Sequence, residues 1–471
     1  MTRTPDLVVL GGGSGGYACA FRAAQLGLSV TLVEKDKVGG TCLHRGCIPT
    51  KALVHAAEVA DTVREGHRYG VRGTFDGIDT DQVHHYKDSV VAKLYKGLQG
   101  LVTHHGIDVV TGHGRYVGNR TVDVDVDGDG DGDGDGDGEK ITGKAVVLAT
   151  GSYARSLPGL EIGGRIVTSD QALTRKQIPQ RVAILGGGVI GVEFASVWSS
   201  FGSQVTIIEA LPRLVAAEDE WTSKQLTRAF RKRGITTMTS TNVIEATDLG
   251  ETVSITLDSG ETIETDLLMV AVGRGPRTAD SGVAEAGVTL DRGFVVVDEH
   301  LRTNHDGVYA VGDIVPGLQL AHRGFQQGLF VAEHITGRNP TRVDESAIPR
   351  VTYTNPEIAS VGLTEAGARE KHGDVSTIVY DLAGNGKSQI LGTTGGIKVI
   401  RAGAESTDGP VVGVHMVGAR VSELISEAQL IVAWGAHPQE VAQLVHAHPT
   451  QAEALGEAHL ALAGQPLHAH G

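Results

Sequence analysis

Cysteine is nearly missing from this chain: three residues in 471, at positions 19, 42 and 47. A small secreted scaffold stapled by disulfides is thereby excluded. Long apolar runs are missing too. No stretch approaches the ~18 residues that a membrane span requires. The opening "MTRTPDLVVLGGG" has a short apolar segment that stops at glycines, which reads as a strand rather than a signal peptide. Positive charge is short as well, with 41 Lys and Arg against 56 Asp and Glu, a formal net charge of -15. Without a broad basic stripe to neutralise phosphates, a nucleic-acid partner is not expected. These absences describe a cytoplasmic protein without membrane segments. In a reducing compartment, a close cysteine pair is redox-active or metal-binding before it is structural.

Glycine, by contrast, is abundant, at 65 residues. Some of it falls in two copies of one pattern. "DLVVLGGGSGGYACAFRAAQLGLSVTLVEK" runs from an apolar strand into a turn at Gly11, Gly13 and Gly16, through an Ala-rich helix, to a strand ending on Glu34. "RVAILGGGVIGVEFASVWSSFGSQVTIIEA" repeats the order with Gly186, Gly188, Gly191 and Glu209. In each copy the last glycine and the acid are 18 positions apart, 16 to 34 and 191 to 209. The first glycine makes a tight turn, the second admits a pyrophosphate against the backbone, and the third lets helix and strand pack closely. The phosphates then sit at a helix N-terminus, and the acid binds an adenosine ribose. Two such units predict two bound dinucleotides. Glu209 favours NAD over NADP, because a carboxylate repels a 2′-phosphate; Arg213, four positions on, weakens this only slightly.

The cysteine pair lies in "TCLHRGCIPTK" (41–51). Residues five apart in a regular helix rise about 7.5 Å, beyond the roughly 7 Å Cα limit of a disulfide. Cys42 and Cys47 can therefore bridge only across distorted helix. Gly46 permits the distortion, and Pro49 removes the hydrogen bond to the Arg45 carbonyl. Zinc needs four ligands, and no second cysteine pair exists. Lys51, four residues past Cys47, shares its helical face and would favour a thiolate there. His446, His459, His468 and His470 crowd the C-terminal region without regular ligand spacing, so no metal site is expected.

Taken together, "GGTCLHRGCIPTKAL" (39–53), both glycine turns, "VYAVGD" (308–313) and "HAHPTQAEALGEAH" (446–459) resemble the flavoprotein disulfide reductases over essentially the whole chain. The match is closest to the branch that oxidises dihydrolipoamide. The resemblance implies an α/β fold with two Rossmann-like domains, for FAD and then NAD, and a C-terminal α+β dimerisation domain. The implied divisions are 1–150 for the first part of the FAD domain, 151–273 for the NAD domain, 274–345 for completion of the FAD domain, and 346–471 for the dimerisation domain. "VLATG" (147–151) would be the passage out of the FAD domain and "VYAVGD" the return, with Gly151 and Gly273 among the cofactor-binding residues. Asp313 would hydrogen-bond the flavin's ribityl and phosphate region. Cys42 would exchange with the substrate disulfide and Cys47 would face the flavin. Lys51 would pair with Glu193. His448 would be the base, oriented by Glu453, in an active site completed by the other subunit of an obligate homodimer. Dihydrolipoamide is carried on lipoyl domains, so the implied partners are the lipoyl domains and acyltransferase core of a 2-oxoacid dehydrogenase complex, or the lipoyl carrier protein of glycine cleavage.

Related chemistries fit less well. Glutathione-type reductases carry basic residues where Glu209 stands, mercuric reductases a C-terminal cysteine pair, and soluble transhydrogenases a single thiol. Another quinone or disulfide reductase of the same fold is the remaining alternative, and a chiefly structural role within a large complex is a competitor of another class. One segment stands apart. The Asp-Gly repeat at 127–138 lies between two strand-like stretches and reads as a solvated hairpin loop, since it lacks the glutamate that closes an EF-hand loop.

Overall fold

A computed structural model describes residues 4–125, 138–404 and 409–468. The first apolar run forms β1 (Leu7–Leu10), buried along its length. The glycine turn leads into α1 (Ser14–Gln25), and the chain returns as β2 (Val30–Glu34), parallel to β1 with Leu7 opposite Val30. Parallel strands covered on both faces are apolar without alternation, which is why "LVVL" reads as a continuous run and "VTLV" is broken only by the buried Thr31. The sheet is five-stranded, in the order 308–310, 145–148, 7–10, 30–34, 108–111. The edge strand Val308–Ala310 pairs with Ala145–Leu148 from the far side of an intervening domain.

That intervening domain repeats the plan. Arg181–Leu185 and Gln204–Glu209 are parallel neighbours, joined by the helix Val189–Phe201, in a sheet ordered 236–239, 204–209, 181–185, 267–270, 166–168. The chain leaves and re-enters the first domain side by side: Ser152–Ala154 pairs antiparallel with Arg274–Pro276, just beyond Gly151 and Gly273. The last region is an antiparallel five-stranded sheet, ordered 350–352, 357–362, 411–418, 396–402, 375–381. The helices Val421–Ala433 and Glu453–Leu462 share one apolar core with this sheet. The fold is thus α/β with two Rossmann-like domains and a C-terminal α+β domain.

Two helices position the chemistry. α2 (Gly40–Arg45) and α3 (Cys47–Glu65) are separated by Gly46, whose φ of -145° and ψ of -109° break the helix between the two cysteines. Leu53 and Ala57 of α3 pack in one core with Val192, Phe194 and Ala195 of the Val189–Phe201 helix and with Ile358 and Val417 of the third sheet. α3 therefore lies where all three domains meet, and burying each of the larger side chains, such as Leu53, Phe194 and Ile358, stabilises that junction by about 1.5–3 kcal/mol. Elsewhere Thr121–Asp125 and Glu139–Thr142 pair antiparallel as a hairpin. The Asp-Gly repeat between them lies, apart from Gly138, outside the described residues. No helix among the described residues is long and apolar enough to cross a membrane.

Candidate active site

The two glycine turns are built to receive an anion. A Cβ added at Gly16 would fall 1.9 Å from the Gly11 carbonyl oxygen, and one at Gly191 falls 1.9 Å from that of Gly186. The third glycine is thus fixed by packing. At Gly13 and Gly188 an added Cβ meets nothing within 4 Å, so the middle of each turn opens onto free space. Gly13 and Gly188 are helix N-caps without any side-chain cap. Elsewhere Asp79, Thr168, Asp219 and Thr364 cap their helices with side-chain oxygens. The first backbone N–H groups of a helix need partners from outside it, and a pyrophosphate supplies them. The residues present therefore fit a dinucleotide in each turn.

Glu34 and Glu209 occupy matching places. Glu34 accepts hydrogen bonds from the Gly12 N–H at 2.7 Å and the Asp36 N–H at 3.0 Å. Glu209 accepts from the Gly187 N–H at 2.5 Å and the Leu211 N–H at 2.7 Å. Each carboxylate is thereby locked at the rim of its turn. Asp313 follows the strand Val308–Ala310 and accepts a 2.5 Å hydrogen bond from the Ser152 hydroxyl, which in turn accepts one from Arg274 Nε at 2.7 Å. The residues flanking Gly151 and Gly273 thus converge on Asp313. Both glycines have positive φ and open space beside them.

Cys42 and Cys47 are both thiols in this structure, half-buried and within hydrogen-bond reach of one another. Their segment presses on the first glycine turn: a Cβ at Gly40 would lie 2.7 Å from the Gly13 Cα, and Ser14 lies near enough to Cys42 to favour its anion. The pair is electrically unequal. The hydrogen bond from Cys42 holds Cys47 below an ordinary thiol, burial opposes it, and the Lys51 ammonium adds to the lowering. Cys42 is pushed up, first by that same hydrogen bond and then by burial. Of the two, Cys47 is the one whose thiolate its surroundings favour. Cys19 is buried in α1, where burial raises it to about 12. The close crossing of α1 with the Ala321–Ile335 helix, where a Cβ on Gly328 would sit 2.8 Å from the Cys19 N, gives it a packing role.

Lys51 Nζ donates to both oxygens of Glu193, at 2.9 and 2.8 Å. Burial disfavours its charge, but Glu193 outweighs burial and raises the lysine above its ordinary value. The pair is the link between domains: Lys51 is one turn from Cys47 on α3, and Glu193 lies five residues past Gly188 on the helix of the second turn.

His448 and Glu453 meet in the C-terminal domain. His448 Nδ1 lies 2.7 Å from Glu453 Oε1, and Glu453 Oε2 accepts the Thr450 N–H at 2.7 Å. Burial pushes Glu453 up, but the Thr450 N–H and His448 together hold it below the usual carboxylate range. The imidazole is 78% exposed in the single chain, so the dyad is formed but faces outward. Three other C-terminal histidines have partners of their own: His446 with Glu427 at 2.7 Å, His468 with Glu457 at 2.8 Å, and His459 with the Leu455 carbonyl; His470 lies outside the described residues. Among the described residues no three His, Cys, Asp or Glu side chains converge as a metal site would require.

Sequence reasoning missed Ser14, Ser152, Arg274 and Tyr353. Ser14 sits inside the glycine motif and could have been singled out there. The other three are joined to the site by contacts spanning more than a hundred residues, which no local pattern reveals.

Two uncapped dinucleotide turns with an unequal thiol pair pressed on the first define a two-nucleotide redox enzyme of the disulfide-exchanging class. Comparison with known proteins gives the family. The pyridine nucleotide-disulphide oxidoreductase family matches residues 5–328, and its dimerisation domain matches residues 348–459. The chain belongs to this family and is an FAD- and NAD-dependent oxidoreductase. A dihydrolipoyl dehydrogenase of Bacillus subtilis is 40% identical over 470 residues, covering 98% of this chain and 99% of its own. The mitochondrial dihydrolipoyl dehydrogenase of Pisum sativum is 35% identical, covering 98% and 92%. Among solved structures, LpdA from Mycobacterium tuberculosis superposes with a TM-score of 0.89 at 25% identity, covering 98% of this chain and all of its own.

Proposed function

We propose that the protein is a dihydrolipoyl dehydrogenase: dihydrolipoamide and NAD⁺ give lipoamide, NADH and a proton. The observation that carries this reading is the unequal thiol pair. It lies against the first glycine turn and is tied through Lys51 and Glu193 to the helix of the second. A thiol centre touching both dinucleotide domains is what dithiol-to-nicotinamide electron transfer needs.

In this reading FAD is held by Gly11, Gly13, Gly16 and Glu34, with Gly151 and Asp313 along its length. NAD is held by Gly186, Gly188, Gly191 and Glu209, with Gly273 at the return. Bound FAD supplies the two-electron relay between the thiols and the nicotinamide. The rest is the work of side chains. With Nδ1 directed to Glu453, His448 has Nε2 available to take a proton from a substrate thiol. The substrate thiolate attacks Cys42 in the oxidised pair, and Cys47 leaves as a thiolate beside Lys51. The second substrate thiolate then displaces Cys42, which takes up a proton, and the cyclic disulfide product departs.

The outward-facing dyad supports a second element of the proposal. The base acts in the partner subunit's site, so the protein works as an obligate homodimer through the family's dimerisation domain. Its substrate arm belongs to a lipoyl domain of a 2-oxoacid dehydrogenase complex, with the acyltransferase core as the assembly partner, or to the lipoyl carrier of glycine cleavage. The proposed setting is the cytoplasm. The test is turnover with free dihydrolipoamide and with lipoylated domains. Robust NADH formation from both is expected, and failure with both while dyes are still reduced by NADH would point to another disulfide or quinone reductase.

A further inference from the structure

Lys51 is held on two sides, and only one of them is a carboxylate. Its Nζ lies over the Tyr353 ring, 4.8 Å from the centroid. Tyr353 follows the strand Arg350–Thr352 of the C-terminal sheet, so this contact reaches the thiol centre from the third domain.

The ring is itself fixed in place. The Tyr353 N–H donates to Glu193 Oε1 at 2.9 Å, the same oxygen that accepts from Lys51. Two residues on, the Asn355 N–H donates to Ser196 Oγ at 3.0 Å. Arg233 clamps both, donating to Ser196 Oγ at 2.7 Å and to the Asn355 carbonyl at 3.1 Å. The 353–355 stretch is thus pinned to the helix that carries Glu193.

The physics of the two holders differs. Glu193 attracts the ammonium but brings a negative charge, and that charge pushes Cys47 upward while Lys51 pulls it down. An aromatic face attracts a cation through its quadrupole and carries no net charge. It can hold the ammonium without cancelling its field at the thiolate. The groups facing Cys47 are Cys42 from α2, Lys51 from α3, Glu193 from the Val189–Phe201 helix and Arg274 from the strand Arg274–Pro276. Of these, Lys51 is the one whose place the ring sets.

We propose that Tyr353 is a positioning residue for the redox pair, its ring face holding the Lys51 ammonium where it stabilises the Cys47 thiolate. The inference rests on the reading of Cys47 as the thiolate and adds that the dimerisation domain tunes it.

The experiment is the pH profile of Cys47 alkylation by iodoacetamide in dithiol-reduced holoenzyme. Peptide mass analysis separates Cys47 from Cys42 and Cys19, and retained flavin absorbance shows that each variant is folded. Wild type, Tyr353→Phe, Tyr353→Leu and Lys51→Met are compared. Tyr353→Phe keeps the ring and should superpose on wild type. Tyr353→Leu should move the profile to higher pH, slowing alkylation on its acid side about three- to tenfold, in the direction of Lys51→Met. A Tyr353→Leu profile identical to wild type, or a Tyr353→Phe profile displaced as far as that of Tyr353→Leu, overturns the proposal. A wild-type Cys47 that alkylates like an ordinary thiol overturns instead the thiolate reading beneath it, so the two failures are distinct.

Discussion

The two glycine turns are nearly the same object, and the segments that leave them make them different machines. In both, the N–H of the glycine next to the first, Gly12 or Gly187, is taken by the acid at the end of the next strand, Glu34 or Glu209. In both, the carbonyl of that glycine accepts an N–H from the segment beyond, Gly39 at 2.7 Å in the first and Val215 at 2.8 Å in the second. After Gly39 comes Gly40, with no side chain to hold the chain away, and α2 lays Cys42 on the turn. After Val215 come Glu218 and Asp219, both buried. Asp219 accepts from Lys398 Nζ at 2.8 Å and from the Glu365 N–H at 2.8 Å. Glu218 pairs with Arg350 at 3.0 Å and with the Ser360 hydroxyl. One turn is continued into a redox centre, the other into an ionic dock for the C-terminal domain. The same nucleotide cradle is put to two uses by the short segment that leaves it.

The comparison can be broken at its strongest point first. Cys47→Ser removes the thiolate from the first turn and leaves the second intact. Lipoamide-dependent turnover should vanish in a steady-state assay, while NADH still binds in a fluorescence titration. His448→Gln should come next, costing on the order of a hundred- to ten-thousand-fold in dihydrolipoamide oxidation but little in NADH oxidation by a dye. Equal losses in the two assays would indicate damaged structure rather than a lost base.

The glycines sharpen the contrast between the cradles. Gly16→Ala and Gly191→Ala create the same 1.9 Å clash, an overpacking that costs about 1–3 kcal/mol. The first should lower flavin content on purification. The second should retain flavin and raise the KM for NADH. Lys398→Met leaves Asp219 buried without its cation. It should destabilise the dock by about 3–5 kcal/mol, seen as a lower thermal midpoint with the thiol chemistry preserved. The smallest effect is expected at Glu209→Gln, which should narrow the preference for NADH over NADPH in kcat/KM by removing the charge that repels a 2′-phosphate.

Both cradles were legible in the sequence because their logic is local: strand, glycine spacing, helix and acid fall within some thirty residues. The break between the cysteines was legible for the same reason, since Gly46 and Pro49 sit beside it. Lys51 could be placed on the face of Cys47 by helical spacing alone, but its partner Glu193 came only through resemblance, being 142 positions away. The dyad came the same way, and its outward exposure became visible only once the chain was folded. Tyr353 could not be read at all. It stands in "PRVTYTNPEIASVG" (349–362), yet nothing in that stretch marks it, because its meaning depends on two helices from other domains. The Glu218–Asp219 dock escaped for a similar reason: adjacent acids ahead of a helix look like an ordinary capped, solvated start until their cations arrive from residues 350 and 398.

The most direct test of the central account, a thiol pair whose electrons pass through the dinucleotide of the first cradle to that of the second, is an anaerobic absorbance titration of the purified holoenzyme. One equivalent of dihydrolipoamide is added, and then NAD⁺. The account predicts that dihydrolipoamide alone produces the long-wavelength absorbance of a thiolate lying against flavin, and that NAD⁺ removes it as NADH absorbance grows in equal amount. A spectrum unmoved by dihydrolipoamide, in protein whose flavin is still reduced by NADH, would contradict it.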